Sequence, residues 1–184
     1  MTQHALLGIC GSLRAPSVNR KLLAEAIRLY GPVEHRIADL RLPLYDGDLE
    51  SSEGIPQSVQ TLAAEIAGAD AVIIASPEYN KAITGVLKNA LDWVSRIKGN
   101  PWRDKPVGIM SANAGRSGGE TGQYMLRHAL APFRPRFSSG PFVMVADGAN
   151  QFDTDGRLTN DRAAAALEQA MQVLRTEVEH ARAS

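Results

Sequence analysis

The stretch Cys10–Leu22, CGSLRAPSVNRKL, decides the fold because an apolar run ends there and a helical pattern begins. His4–Cys10 is predicted to be a short strand that stops at Gly11. From about Val18 to Tyr30, apolar side chains recur at the spacing of a helix. The residues between the strand and the helix are crowded with hydrogen-bonding groups, which is what an anion site requires.

The residues after Gly11 have the chemistry of a phosphate site. Glycine lets the backbone turn sharply, and Ser12, Ser17 and Asn19 carry hydroxyl and amide groups that can bind an anion. The helix that follows offers unpaired N–H groups and the positive end of its dipole. Arg14 can add a charge-assisted contact. The alternative is that Ser17 or Asn19 only caps the helix.

Other phosphate-binding motifs are excluded by their spacing. A P-loop requires G-x-x-x-x-G-K-[ST], and a dinucleotide fingerprint requires a third glycine after Gly8 and Gly11; the sequence has neither. A cysteine-dependent phosphatase loop has arginine six positions after its cysteine. Here Pro16 occupies that position and Arg14 comes too early. Cys10 is therefore predicted to be a small buried residue at the end of the strand.

Strands and helices alternate along the rest of the chain. The further predicted strands are Val33–Leu40, Ala71–Ser76, Val107–Ala112 and Phe142–Ala146, with Arg136–Phe137 extending or preceding the last. Predicted helices cover residues 56–68, 84–97, 121–133 and 159–182, and LPLYDGD (42–48) is predicted to be a turn-rich loop. Five strands and five helices predict a doubly wound α/β fold, with a five-stranded parallel sheet in the order 2-1-3-4-5 and helices on both faces. The loops after the first and third strands would then meet at a crevice.

Composition and charge limit the classes of protein. The 184 residues are enough for one domain, so residues 1–184 are expected to form one unit. Twenty basic and twenty acidic side chains cancel, so neither nucleic acid nor a membrane surface is an expected partner. One cysteine, no signal-peptide pattern and no long apolar run favour the cytoplasm. The four histidines show no metal-ligand spacing, so no metal is expected.

Two further stretches follow predicted strands, and the first of them is expected to face the crevice. SPEYNKAITGVLKNALDWVSR (76–96) places polar groups and a ring there, and SANAGRSGGETGQ (111–123) has four glycines that let the backbone approach a ligand or leave it mobile. Alone, the stretch 76–96 could be a surface turn. Opposite the loop after Gly11, it predicts a site for a flat heteroaromatic ligand that carries a phosphate.

With these motifs, the chain resembles the NADPH-dependent FMN reductase family, a group of flavodoxin-like quinone, chromate and azo reductases. The resemblance rests on GSLRAPSVNRKL (11–22), LPLYDGDLE (42–50) and SPEYNKAITGVLKNALDWVSR (76–96), and extends in order over about residues 5 to 180. The family carries G-S-x-R-x-x-S-x-N and P-E-Y-N. The resemblance implies a flavodoxin-like FMN-binding domain with tightly bound FMN and with NADPH or NADH as the hydride donor.

The resemblance also implies which positions contact the cofactor. The FMN phosphate is expected at Ser12, Arg14, Ser17 and Asn19, with the backbone of Leu13 nearby. The isoalloxazine ring is expected beside Pro77, Glu78, Tyr79 and Asn80, with Ser111 and Gly115 on its far side. Flavin N5 accepts the hydride, so no side chain is expected to act as acid, base or nucleophile.

The chain departs from the family pattern at one position. Relatives often read G-G-x-R-x-Q, whereas Thr121 stands in the place of the arginine. Arg116, within the same loop, is a candidate replacement.

Two functions of different class are compatible with these motifs. The first is an FMN-dependent NAD(P)H oxidoreductase that passes two electrons to a quinone, chromate, azo compound or similar small-molecule acceptor. The second is a non-enzymatic FMN-binding electron carrier or redox sensor. Carriers of the flavodoxin type are usually strongly acidic, so the zero net charge favours the enzyme.

The family resemblance implies a homodimer, with a tetramer as the alternative. In the helix predicted over 84–97, Val86, Trp93 and Ile97 widen the apolar arc beyond what a core-facing helix requires. This flank is predicted to belong to the dimer interface. The alternative is that a neighbouring helix of the same chain covers it.

Overall fold

The strands form a parallel sheet in the order β2-β1-β3-β4-β5, with β6 also paired to β4. A computed structural model describes residues 5–183, so His4, predicted to begin the first strand, lies outside the described residues. The strands are β1 (Ala5–Cys10), β2 (Glu34–Ile37), β3 (Ala71–Ala75), β4 (Pro106–Ala112), β5 (Arg136–Phe137) and β6 (Val143–Val145). The register of β1 on β3 runs from Leu6 opposite Ala71 to Cys10 opposite Ala75.

Helices cover both faces of this sheet. They are α1 (Val18–Tyr30), α2 (Gly47–Glu53), α3 (Gln57–Gly68), α4 (Gly85–Val94), α5 (Glu120–Leu130) and α6 (Asp161–Ala183). Buried side chains of α1 and α6 form one core layer, and those of α3, α4 and α5 form the other. The predicted flavodoxin-like, doubly wound fold is confirmed.

The strands in the middle of the sheet are buried on both faces. Every residue of β3 and β4 is buried, and the apolar run AVIIA of β3 has no polar alternation because helices cover it on each side. The edge strand β2 is exposed throughout. The carboxyl ends of β1, β3 and β4 therefore form a rigid base for the loops that follow them.

Two short strands share the fifth position of the sheet. β5 pairs with the start of β4, and β6 pairs with its end. The intervening segment contains Pro141, which has no N–H for a ladder, and Gly140, where an added Cβ would lie 3.0 Å from Ala170 Cα in α6. Both segments predicted for this position are strands, and the contact with α6 separates them.

Residues 42–53 differ from the sequence prediction. The stretch predicted as a turn-rich loop leads into α2, where the Asp46 side chain accepts a hydrogen bond from the Asp48 N–H at 2.9 Å. This capping by an aspartate begins the helix.

Trp93 is buried within its own chain, so the prediction that it belongs to the dimer interface is wrong. Its side chain has 0% exposure. Its Nε1–H donates to the Pro43 carbonyl at 2.8 Å, and its ring meets Tyr45 edge-on at 5.0 Å between centroids. Asn89 holds the same segment, since its Oδ1 accepts from the Tyr45 N–H at 2.8 Å. Residues 43–45 of the same chain, which are not helical, therefore cover α4 at Asn89 and Trp93.

Candidate functional site

A crevice of about 550 Å³ lies at the carboxyl ends of β1, β3 and β4. This volume is in the range of ligand-binding clefts, about 300–1,000 Å³. One wall is residues 12–19, between β1 and α1. The opposite wall is formed by residues 77–81 after β3 and residues 112–119 after β4, with Ala149 from the segment after β6. The predicted meeting of the loops at this edge of the sheet is confirmed.

Gly11 lets the ends of β1 and β3 approach each other closely. A Cβ at this position would overlap Ser76 Oγ and lie 3.1 Å from Ser76 Cα. The Gly11 N–H donates to the Ala75 carbonyl at 2.9 Å, which continues the strand pairing into the loop. A side chain at residue 11 would push the two walls apart.

The first wall offers hydroxyl groups and a free cation. Ser12 Oγ accepts from the Arg14 N–H at 3.3 Å, and Ser17 Oγ accepts from the Asn19 N–H at 3.3 Å as the cap of α1. The Ser12 hydroxyl keeps its own hydrogen for donation, whereas the Ser17 hydroxyl also lies within hydrogen-bond reach of the Cys10 thiol. The Arg14 guanidinium is exposed at the crevice, and no hydrogen bond or ion pair holds it among residues 5–183. These groups are the ones that a phosphate needs.

Asn19 supports the site, because its side chain is hydrogen-bonded to the sheet. It has 1% exposure. Its Nδ2 donates to the Ala112 carbonyl at 2.8 Å, and its Oδ1 accepts from the Ala112 N–H at 2.9 Å. This pair of bonds fastens the start of α1 to the end of β4. Leu13, also predicted at the site, packs against the core and does not line the crevice.

Cys10 lies beneath the first wall and belongs to the core, as predicted. Its exposure is 4%. Burial raises the pKa of its thiol, while the Ser12 N–H, the Arg20 charge and the Ser17 hydroxyl act in the opposite direction. A buried thiol with a raised pKa is a poor nucleophile, so the geometry gives Cys10 no catalytic role.

A tight turn forms the rim of the second wall. Tyr79 and Ala82 exchange backbone hydrogen bonds of 3.0 Å, and the two residues between them have positive φ angles, 50° at Asn80 and 65° at Lys81. This is a type I′ turn. Tyr79, half exposed, lines the crevice together with the buried Pro77, whereas Asn80 lies at the tip of the turn and does not line it.

Glu78 joins the two loops of the second wall. Its side chain has 9% exposure. Its Oε2 accepts from the Gly122 N–H in the first turn of α5 at 2.9 Å, and its own N–H donates to Asn113 Oδ1 at 3.1 Å. Gly119 caps α5 without a side chain, so the Glu78 carboxylate supplies the acceptor that the helix start lacks.

Ser111, at the end of β4, holds the loop that contains Gly118 and does not line the crevice. It has 1% exposure, and its hydroxyl donates to the Gly118 carbonyl at 2.6 Å. Gln123 Nε2 donates to the same hydroxyl at 2.9 Å and to the Val143 carbonyl at 2.8 Å. Gly115 does line the crevice.

The sequence did not single out Asn113, Lys81 or Ala149, although all three line the crevice. Asn113 follows the carboxyl end of a buried strand, which is the signal that could have identified it. Its N–H donates to the Val145 carbonyl at 3.0 Å, and its carbonyl accepts from the Gly148 N–H at 2.9 Å, so it also anchors the segment that contains Ala149.

The crevice fits a ligand with one anionic end. The unpartnered guanidinium of Arg14 and the hydroxyls of Ser12 and Ser17 lie on the wall where α1 begins. The opposite wall has a ring, Tyr79, and a loop rich in glycine. These features suit the phosphate and the flat ring system of FMN. Within residues 5–183, no group of three or more His, Cys, Asp or Glu side chains could hold a metal ion.

Comparison with known proteins gives consistent matches. The pattern of the NADPH-dependent FMN reductase family matches residues 5–150. An NAD(P)H-dependent FMN reductase of Pseudomonas aeruginosa is 42% identical over 171 residues, which are 92% of this chain and 92% of that protein. A quinone reductase of Escherichia coli K12 is 38% identical over 142 residues, 72% of this chain and 75% of that protein.

A solved structure agrees with these matches in fold. FerB, a flavoenzyme NAD(P)H:(acceptor) oxidoreductase from Paracoccus denitrificans, superposes with a TM-score of 0.86 at 30% identity. The match covers 96% of this chain and 98% of that chain.

Proposed function

The chain belongs to the NADPH-dependent FMN reductase family, and we propose that its crevice binds FMN and that it passes a hydride from NADPH or NADH through the flavin to a quinone, chromate, azo or similar acceptor. The observation that carries the proposal is the unpartnered Arg14 at the start of α1, on one wall of a crevice sized for a ligand. The names of the curated relatives, reductases and quinone oxidoreductases, support the reaction class.

The residues of the first wall would hold the FMN phosphate. Arg14 supplies charge, the hydroxyls of Ser12 and Ser17 donate hydrogen bonds, and α1 adds the positive end of its dipole. Asn19 contributes by fixing α1 to β4 through Ala112. The phosphate would therefore bind to a loop that is already in place.

The residues of the second wall would position the ring system. Pro77 and Tyr79 supply apolar and aromatic surface, while Glu78, Asn113 and Ser111 hold the two loops in a fixed relation. When bound, FMN supplies a two-electron acceptor of hydride at N5. We assign no side chain of this chain as acid, base or nucleophile, so the protein contributes binding, orientation and exclusion of water.

The alternative of an FMN-binding electron carrier or sensor has less support. The chain has no excess of acidic side chains for docking a basic partner protein, with twenty acidic against twenty basic residues. The relatives reported above are named as reductases, and a further relative from Solanum tuberosum is named as a quinone oxidoreductase.

The test is reconstitution followed by anaerobic reduction. The purified protein should take up FMN, turn yellow and release FMN on heating, identified by chromatography. Mixing the loaded protein with NADPH or NADH without oxygen should bleach the flavin absorbance, and a quinone should restore it. Recovery of FAD, or no uptake of FMN, would contradict the cofactor; a yellow protein that neither coenzyme bleaches would favour the carrier.

We further propose that residues 1–184 form one FMN-binding domain that assembles as a homodimer or as a tetramer. Exposed apolar side chains support an interface. Tyr124 on α5 and Phe142 before β6 contact each other at the surface, with ring centroids 5.7 Å apart. Sedimentation equilibrium at micromolar concentration tests the assembly, and a fully active monomer would contradict it. Within the described part of the chain, no helix is long and apolar enough to cross a membrane. The cytoplasmic location remains a prediction.

A further inference from the structure

The turn at the rim of the crevice places a lysine where glycine would be less strained. Lys81 has a φ of 65° in the type I′ turn between Tyr79 and Ala82. Such turns favour Asn-Gly, because the second central position also requires a positive φ and glycine adopts it without a steric cost. This turn has Asn80 followed by Lys81. A strained position at the edge of a ligand site is a reason to look for a function of the side chain.

The ammonium group of Lys81 is held at the mouth of the crevice. Its Nζ lies 3.4 Å from Glu78 Oε1, and Glu78 is fixed to the wall by the Gly122 N–H. The Lys81 side chain is 73% exposed, so the charge remains accessible to a second ligand. The Glu78 carboxylate therefore keeps Lys81 near the crevice. An ammonium has three N–H donors, so donors of Lys81 remain available to a second ligand.

The charges of the crevice divide between its two walls. Among the described residues that line it, the charged side chains are Arg14, Glu78 and Lys81. Arg14 lies on the wall assigned to the FMN phosphate, and the carboxylate of Glu78 is already paired. Lys81 is the cation that remains for an anion arriving from the open side.

We propose that Lys81 binds the pyrophosphate of the nicotinamide coenzyme while the coenzyme lies over the flavin. The assignment rests on the proposed function, because a hydride donor must reach the exposed face of the ring from the mouth of the crevice. The pyrophosphate is negatively charged at every pH at which the enzyme would work. A long, flexible lysine at the rim suits a ligand that binds and leaves in each turnover.

The experiment compares Lys81→Met with the matched control Lys88→Met. Lys88 is also a partly exposed lysine paired with a carboxylate, Asp92 at 2.7 Å, but it lies on α4 and does not line the crevice. In FMN-loaded protein, Lys81→Met should weaken NADP⁺ binding, measured by titration calorimetry, by about threefold to tenfold. Flavin reduction by limiting NADPH should slow by a similar factor, and the loss should shrink as salt is added.

Two further readouts separate this role from a structural one. The dissociation constant of FMN and the rate of reoxidation by an uncharged quinone should stay within twofold of the wild-type values. Lys81→Arg should recover most of the NADP⁺ affinity. Lys81→Gly should lose that affinity while its urea midpoint stays equal to or above that of the wild type, because glycine removes the strain of the turn.

Each alternative outcome contradicts the assignment in a recognisable way. Equal NADP⁺ affinities for wild type and Lys81→Met would overturn it. A rise in the FMN dissociation constant would place Lys81 in the cofactor site, and a loss confined to anionic acceptors would assign it to the second substrate. If the wild type itself binds no FMN or is reduced by neither coenzyme, the proposed function fails, which is a different result from a wild type that is reduced and a variant that matches it.

Discussion

The two walls of the crevice use polar residues in opposite ways. On the first wall, the Arg14 guanidinium has no partner among the described residues, and the Ser12 hydroxyl keeps its hydrogen for a ligand. On the second wall, Glu78 and Asn113 are bonded to each other and to neighbouring loops. The first wall therefore leaves charged and polar groups available to a ligand, whereas the polar groups of the second wall hold its own loops in place.

The second wall needs these internal hydrogen bonds because its glycines have positive φ angles and α5 begins without a side-chain cap. Gly118 and Gly119 have φ angles of 61° and 94°, and Gly119 begins α5 without a side-chain cap. A Cβ at Gly119 would overlap Asn113 Nδ2, so the loop is folded tightly against its own support. A glycine-rich loop pays a large entropy cost to order, and the bonds from Ser111 and Glu78 offset part of it.

Asn19 is the exception on the first wall, and replacing it should have the largest effect. Asn19→Ala leaves the buried N–H and carbonyl of Ala112 without partners. Each unsatisfied buried group costs about 1–3 kcal/mol, so the free energy of unfolding should fall by roughly 2–4 kcal/mol. Urea denaturation of the FMN-free protein measures this.

A matched control for this prediction is Asn160→Ala. Asn160 also accepts a backbone N–H, that of Ala163 at 3.0 Å, but at the exposed start of α6. Asn160→Ala should lower the free energy of unfolding by about 1 kcal/mol. Equal losses at the two positions would show that the bonds of Asn19 to β4 add nothing beyond a helix cap.

Arg14→Ala should weaken FMN binding without changing stability, because the guanidinium is exposed and unpartnered. A charge-assisted hydrogen bond contributes about 1.5–3 kcal/mol, so the dissociation constant should rise about tenfold to a hundredfold. Riboflavin, which lacks the phosphate, should be affected much less. Fluorescence titration of both flavins makes the measurement, with Arg162→Ala as the control, since Arg162 is also exposed but lies at the start of α6 and does not line the crevice. An equal loss for the two flavins would move Arg14 away from the phosphate.

Replacing Glu78 tests whether its hydrogen bond or its charge stabilises the second wall. Glu78→Ala leaves the Gly122 N–H at the start of α5 without its acceptor and should cost about 1–2 kcal/mol of stability. Glu78→Gln keeps an oxygen for that N–H and loses mainly the exposed pair with Lys81, about 0.5 kcal/mol. Both FMN and riboflavin should lose affinity equally in the alanine variant. If the glutamine variant is as unstable as the alanine variant, the charge matters more than the bond.

The sequence predicted the parts of this architecture that depend on local pattern. The apolar run of β3 and the helical spacing of Val18–Tyr30 are local, and the sheet order followed from their alternation. The crevice followed in turn, because the loops after neighbouring parallel strands must meet. The polar residues of the first wall were identified for the same reason, since the strand, loop and helix are contiguous in the chain.

The partners of side chains across the fold could not be predicted in the same way. Asn19 and Ala112 are 93 residues apart, so nothing in the local pattern distinguishes a phosphate ligand from a brace. Ser111 has a hydroxyl that could bind a ligand, but this hydroxyl donates a hydrogen bond to the Gly118 carbonyl instead. For Trp93, periodicity gave the width of the apolar arc on α4 but could not show that the segment around Pro43 covers it.

Cys10, beneath the first wall, should give the smallest effect, visible only in alkaline solution. Burial raises the pKa of its thiol in the folded state, so the folded protein holds this proton to a higher pH than the unfolded chain does. The stability that the neutral thiol contributes is therefore complete below the unfolded pKa of about 8.5 and is lost as the pH rises towards the folded pKa. Over that window the free energy of unfolding should fall by up to about 1.4 kcal/mol per pH unit more in the wild type than in Cys10→Ala. Urea denaturation of both proteins between pH 7 and pH 10 isolates this slope, because every other titrating group is common to them. Parallel pH profiles would show that the thiol ionises as readily in the folded protein as in the unfolded chain. Solvent would then reach the loop between β1 and α1 from the Cys10 side as well as from the crevice.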